Sequence, residues 1–234
     1  MAEPSIAPFT GFPAVTFSFL RGIAAHNDKL WFEGHRADYQ AGYVEPARSF
    51  VAAVGPELRR VSKAVSFDPR VNGSLFRINR DTRFSKDKSP YKTHLDVWFW
   101  EGAARGWESP GYFFRMFHDR LMLGAGMHGF GKEQLAVFRA AVVDDKRGAA
   151  LERAIAAADK AGLSVGGATR AKVPRGMDPD HRRAKLLLHE GLWAGYEGRV
   201  PKEAKTAKLV DWCVERFAGA APVVRWLQSA VLVA

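Results

Sequence analysis

Gly111-Tyr112-Phe113-Phe114-Arg115-Met116-Phe117-His118-Asp119-Arg120-Leu121-Met122-Leu123-Gly124-Ala125-Gly126-Met127 is the stretch on which the fold turns. Two apolar runs, Gly111–Phe117 and Leu121–Met127, flank the polar triplet His118-Asp119-Arg120. That spacing predicts a β-hairpin. In the second run Leu121, Leu123, Ala125 and Met127 fall on alternate positions, and Met122 is apolar too, so a buried face is expected. Just upstream, Leu95–Trp100 is rich in aromatic and β-branched residues and predicts another strand. Asp68-Pro69 and Asn72-Gly73 are turn signals ahead of it.

On both sides of this block the pattern is helical. Thr16–Ala25 carries Phe17, Leu20 and Ile23 at helical spacing. Asn27 or Asp28 is suited to cap a second helix over Lys29–Tyr43. A third shows Ala47, Phe50, Val51, Val54, Leu58 and Val61 on one face; Pro46 fits its first turn, and Gly55-Pro56 predicts a bend. Beyond Met127, helices are expected over Lys132–Val143, Ala149–Asp159, His181–His189, Lys202–Phe217 and Pro222–Val231, with Gly162–Gly176 irregular. Helices, then strands, then helices predict an α+β fold: an antiparallel sheet flanked by N-terminal and C-terminal helices. The chain shows no internal repeat and no low-complexity linker, so residues 1–234 read as a single domain.

Composition is that of a globular domain, with 47% hydrophobic and 26% charged residues, which excludes a disordered or collagen-like chain. One cysteine, Cys213, rules out an intramolecular disulfide and a cysteine-based zinc site; its apolar neighbours predict a core position. Met1–Leu20 lacks a basic start and is interrupted by Pro13, so no signal peptide is expected. No apolar run approaches the ~18 residues of a membrane span. The expectation is a cytoplasmic protein with no membrane partner.

The formal net charge is +10, and half of it sits between Arg70 and His94, where seven Lys/Arg face two Asp. Arg77-Ile78-Asn79-Arg80-Asp81-Thr82-Arg83-Phe84-Ser85-Lys86-Asp87-Lys88-Ser89-Pro90-Tyr91-Lys92 holds six cations in 16 residues. Asn79, Asp81, Ser85 and Pro90 disfavour a long helix, so a strand running into an ordered loop is expected. Arginine offers a planar fork for carboxylate or phosphate, and lysine a point charge. The segment is therefore a candidate anion site. The competing reading is a solvated loop whose arginines pair with Asp81, Asp87 and acids elsewhere.

Several run patterns resemble a known family. Gly11-Phe12-Pro13, Asn27-Asp28-Lys29-Leu30-Trp31-Phe32, His35-Arg36, Asn72–Ser85, Lys88–Lys92 and Pro110-Gly111-Tyr112-Phe113 look like the hallmarks of an uncharacterised microbial family, one of the domains of unknown function. Lys172-Val173-Pro174-Arg175-Gly176-Met177-Asp178-Pro179-Asp180-His181 resembles its second hallmark, although the family pattern has proline after the histidine where this chain has Arg182. The resemblance implies one intact domain and brings no activity, substrate or cofactor. Physically, the second run offers Lys172, Arg175 and His181 as further anion contacts, if the fold brings the two segments together. The plainer reading is a surface loop.

Gly124-Ala125-Gly126-Met127-His128-Gly129 matches the dinucleotide-binding G-x-G-x-x-G. That motif needs a buried strand after the helix with an acid about 20 residues on. Here Asp144-Asp145-Lys146-Arg147 and another helical pattern follow, so glycines at a close-packed strand end are expected instead. His94 and Asp96 would share a strand face, and His118 and His128 lie near other strand ends, but no H-E-x-x-H or carboxylate cluster appears and no metal site is expected. Trp98, Phe99, Trp100, Trp107, Tyr112, Phe113 and Phe114 read as sheet and core packing before base stacking.

The sequence thus points to a small phosphorylated or carboxylated ligand held by Arg77, Asn79, Arg80, Arg83, Lys88, Tyr91 and Lys92, with Arg175 and His181 as possible additions. His94, His128 and His181 are the candidate proton-transfer groups if the protein is an enzyme. The alternatives are a non-enzymatic nucleic-acid or polyanion binder, and a structural role in which the basic segment forms internal ion pairs. The sequence names no cofactor and no oligomeric state.

Overall fold

The computed structural model describes residues 6–102, 106 and 109–232; Trp107 lies outside the described residues. Its centre is a six-stranded sheet in the order β1-β2-β3-β4-β6-β5. The strands are β1 (Val65–Ser66), β2 (Leu95–Glu101), β3 (Gly111–Met116), β4 (Arg120–Met127), β5 (Ser164–Ala168) and β6 (His189–Arg199). Helices α1 (Ala14–Ala25), α2 (Lys29–Gly34), α3 (Arg36–Tyr39) and α4 (Glu45–Val61) precede β1; α5 (Lys132–Val143) and α6 (Asp145–Lys160) follow β4; α7 (Leu209–Ala230) follows β6. The fold is α+β, with an antiparallel sheet and helices toward both ends of the chain.

The chain forms two compact units. One runs to Phe99 and adds Phe113–Met122 and Glu197–Val214; the other comprises Trp100–Tyr112, Leu123–Tyr196 and the residues from Glu215 onward. The divisions fall inside strands and helices, so no linker marks them in sequence.

In the first unit, Phe9, Phe12, Phe50 and Phe114 form an aromatic core, with Phe50 and Phe114 centroids 4.6 Å apart and Phe12 and Phe50 at 5.6 Å. Alternation in β3 turns Phe114 and Met116 inward, leaving Phe113 and Arg115 half-exposed. In the second unit, Phe138 meets Trp226 edge-on at 5.8 Å, and the Trp226 indole N–H donates to the Arg147 carbonyl at 2.9 Å. Burying that N–H without an acceptor would be costly, so the bond fixes the indole. Cys213 is buried, as its neighbours predict.

The expected strands β2, β3 and β4 are present within a residue of their predicted ends. Four expectations need correction. Lys29–Tyr43 is not one helix. α2 ends at Gly34, where His35 adopts non-helical angles and its Nδ1 lies 2.8 Å from the Trp31 carbonyl; α3 then runs into a π turn at Gln40–Val44 and on into α4. Gly162–Gly176 contains β5, paired antiparallel to β6 through Ser164–Gly195, Val165–Ala194 and Gly166–Trp193. His181–His189 is a turn and one 3₁₀ segment, Ala184–Leu188, leading into β6; and α7 is a single helix that passes over Pro222.

Of the glycines after Leu123, Gly126 serves close packing. A Cβ on Gly126, whose φ is +143°, would lie 2.2 Å from the Leu192 carbonyl oxygen, so only glycine lets β4 approach β6 there. No strand follows α5 before α6, and the G-x-G-x-x-G match is a strand-packing feature.

Candidate functional site

The basic segment is a β-hairpin. The Lys92 N–H donates to the Ile78 carbonyl at 2.8 Å and the Arg80 N–H to the Pro90 carbonyl at 2.9 Å, with Asn79 opposite Tyr91. Just before it, Leu75 pairs with Val97 of β2: the Phe76 N–H donates to the Asp96 carbonyl and the Trp98 N–H to that of Ser74. The expected strand is reduced to the single bridge between Asn79 and Tyr91, and the rest of the segment is turn and loop.

Its stem is tied to the N-terminal helices. Of the two candidate caps, Asp28 is the one used: it caps α2, accepting from the Trp31 N–H at 2.8 Å. The Asn27 carboxamide binds the backbone of Tyr91 twice, donating to its carbonyl at 2.9 Å and accepting from its N–H at 3.0 Å. The Tyr91 ring is buried and stacks on Phe32 at 4.3 Å. We expect Asn27→Ala to cost about 1–3 kcal/mol, because it strips partners from a half-buried backbone. The check is amide exchange at Tyr91, which should accelerate with a lowered thermal midpoint.

The tip, residues 81–89, largely neutralises its own arginines. Arg83 grips Asp81 in a bidentate pair, with Nη2–Oδ2 at 2.7 Å, and Arg80 binds Asp87 and the Ser89 carbonyl. Lys88 donates to the Thr82 carbonyl at 2.9 Å. Hydrogen bonds from Arg83 hold the Asp81 carboxyl down at about 2; those from Ser89, then Arg80, do the same for Asp87. Arg77 and Lys86 are exposed and make no side-chain hydrogen bond or ion pair among the described residues.

A second cluster lies at the foot of the hairpin, around Asp96. This residue is 8% exposed, and three side chains converge on its carboxylate. Arg115 donates from Nε to Oδ1 at 2.6 Å and from Nη2 to Oδ2 at 3.3 Å; Lys92 Nζ donates to Oδ2 at 3.1 Å, and His94 Nε2 lies 3.1 Å from Oδ2. Burial works against the Asp96 charge, but the bonds and charge of His94 and Arg115 outweigh it and hold the carboxyl far below the usual range. Lys92 Nζ also sits 4.7 Å above the Phe76 ring, and His94 packs on Phe117 at 4.9 Å. Beneath them Tyr43 is fully buried and its hydroxyl donates to the His94 carbonyl at 3.3 Å. Burial, reinforced by the Asp96 charge, pushes that hydroxyl well above its ordinary value, so it stays protonated.

Chemically this is a carboxylate that orients an imidazole and two fixed cations. A His–carboxylate pair is a common proton-transfer unit, and an oriented Arg–Lys pair is a common anion contact. The structure thus brings together Lys92 and His94 from the expected set. It adds Asp96, singled out only for sharing a face with His94, and Arg115, which sequence reading passed over inside an apolar run. The signal available was an arginine at an outward position of an alternating strand.

The other expected residues lie in the second unit. Arg175 is exposed beside Gly176, whose φ is +86°, in a turn closed by the Met177 N–H on the Pro174 carbonyl. His181 Nδ1 accepts the Arg183 N–H at 3.0 Å, so that nitrogen is occupied by the local turn. His128 is exposed after the end of β4. Next to His181, Arg183 is 2% exposed: its guanidinium donates to the carbonyls of Val142, Asp144 and Asp145, and Nε lies 3.1 Å from Glu152 Oε2. The Val142 carbonyl lies in the last turn of α5, where acceptors lack intrahelical donors, while the Asp144 carbonyl also accepts the Gly148 N–H at 2.9 Å. Arg183 was not foreseen. Among the described residues, no group of three or more His, Cys, Asp or Glu side chains is placed to share a metal ion, and no helix is long and apolar enough to cross a membrane.

Fold and site together define an α+β protein that carries a basic hairpin rooted beside a buried, cation-ringed aspartate. The chain belongs to the conserved hypothetical protein family DUF2461, whose model matches residues 15–226. No curated protein matches the chain.

Proposed function

We propose that this protein binds a small anion, a phosphorylated or carboxylated metabolite, at Lys92, His94 and Arg115. The observation that carries the reading is the charge imbalance around one buried carboxylate. Lys92 and Arg115 set two positive charges against the single charge of Asp96, and protonated His94 would add a third. Asp96 engages Nε and Nη2 of Arg115, and that side chain is 41% exposed, so part of the fork faces solvent. Arg77, unpaired on the hairpin stem, is a further contact from the same segment. Arg80 and Arg83, engaged by Asp87 and Asp81, shape the loop in this reading and are not ligand contacts. His94 is the proton-transfer candidate should the bound anion also react.

A thermal-shift screen tests this with inorganic phosphate, sugar phosphates, nucleotides and dicarboxylates, each at low and high salt. A ligand at about 100 times its dissociation constant adds about 2.7 kcal/mol of stability. The expected result is a salt-tolerant shift from one class of small anion that disappears in Arg115→Gln. Equal shifts in wild type and Arg115→Gln would remove the cluster from the site.

A second reading rests on the Asp81–Arg83 and Asp87–Arg80 pairs: the basic segment is knitted internally, and its charge serves folding. It predicts no shift from any small anion, together with an Arg80→Ala variant that loosens the hairpin.

A further inference from the structure

The tip of the hairpin carries a feature the small-anion site does not use. Phe84 is 94% exposed. A phenyl ring left in water forgoes about 1.5–3 kcal/mol of burial, so folding alone gives no reason to hold it at a loop tip. The tip is nonetheless ordered around it. The Ser85 N–H donates to the Thr82 carbonyl, Lys88 closes on the same carbonyl, and the Asp87 carboxylate accepts from both the backbone and the hydroxyl of Ser89. The Arg83 guanidinium, fixed by Asp81, lies 5.7 Å from the Phe84 ring centroid. Exposed Lys86 and Lys88 follow within four residues. The loop thus presents one aromatic face among cations, on a hairpin whose stem is anchored through Tyr91.

We propose that this tip is a stacking platform for single-stranded nucleic acid, in which Phe84 takes the face of one base while Lys86 and Lys88 meet the adjoining phosphates. Aromatic faces between backbone-tracking cations are the elements of sequence-tolerant single-strand binding. A bilayer surface fits less well. Phe84 is the only apolar side chain among residues 81–89, and Asp81 and Asp87 would face anionic headgroups. An acidic protein would account for the lysines and leave the ring unexplained.

The test is fluorescence anisotropy with a labelled oligo-dT of about 12 nucleotides, within the span such sites cover. Wild type, Phe84→Ala, Phe84→Trp and the double variant Lys86→Gln/Lys88→Gln are titrated at two salt concentrations. Each variant's thermal midpoint is checked first; an exposed position should leave it in place. Loss of one stacked base weakens binding about 5- to 150-fold, and Phe84→Trp retains it. Removing two phosphate contacts lowers the salt slope by about 1.4 for a single strand, whereas Phe84→Ala leaves the slope unchanged. Absence of oligonucleotide binding at low salt overturns the proposal. So does equal affinity of Phe84→Ala, or a dependence on Phe84 seen with phosphatidylserine vesicles and not with the oligonucleotide.

Discussion

Replacing Arg183 by alanine is expected to cost about 3–5 kcal/mol, among the largest effects available to a single substitution in this chain. The side chain is fully enclosed, so truncation leaves a cavity. It also removes a donor from the carbonyls of Val142, Asp144 and Asp145 at the junction of α5 and α6, of which Asp144 keeps the Gly148 N–H. Gly148 shows how closely the junction is fitted: a Cβ there would lie 2.5 Å from Arg183 Nη1. Arg183→Lys should recover little, since one ammonium cannot reproduce the planar fork. Glu152→Gln should cost under about 1 kcal/mol, because that carboxylate is 45% exposed. Urea denaturation decides: a midpoint shift at constant m-value for Arg183→Ala several times that of Glu152→Gln is the expected result, and equal small shifts would contradict it.

The second large effect is expected at Asp96. Asp96→Asn keeps the shape but leaves Arg115, Lys92 and His94 facing one another without the anion that holds them. Breaking a buried pair by removing one member costs about 3–5 kcal/mol, and the low end applies here because Arg115 retains solvent access. The pH dependence has a definite sign. Asp96 is held below its unfolded value, as are Asp81 and Asp87 at about 2, so their contribution is complete above about pH 4. It is lost as pH falls through the folded values, since the unfolded chain binds protons first. Between about pH 4 and pH 2 wild type should therefore lose stability more steeply than Asp96→Asn in urea titrations. Parallel curves would show that Asp96 is not engaged as described.

How far the sequence carries this account varies by element. β2, β3 and β4 were legible because aromatic and alternating apolar residues mark them directly. β5 and β6 were not: Gly166, Gly167, Gly191, Gly195 and Gly198 dilute the alternation, and Gly166, Gly167 and Gly191 are there for close approach, as the Trp193 ring 2.2 Å from a Cβ on Gly166 illustrates. The break at Gly34–His35 comes with a local bond from His35 Nδ1 to the Trp31 carbonyl that periodicity does not reveal. The basic run was legible as charge, but its pairing was only partly so. Asp81 with Arg83 is a two-residue contact visible in principle, whereas the Arg80–Asp87 pair needs the hairpin to close. Arg115 reaches Asp96 across strand register, and Arg183 is buried beside exposed Arg182, with nothing in the dipeptide to say which is which.

The most direct test of the central claim is calorimetric titration of wild type and Arg115→Gln with inorganic phosphate and with succinate at constant ionic strength. A charge-assisted contact is worth about 1.5–3 kcal/mol, or roughly 10-fold and more in affinity. The account predicts saturable one-site binding of at least one probe to wild type, weakened by that factor in Arg115→Gln. No heat from either probe, or equal affinity in the two proteins, would contradict an anion site at Lys92, His94 and Arg115.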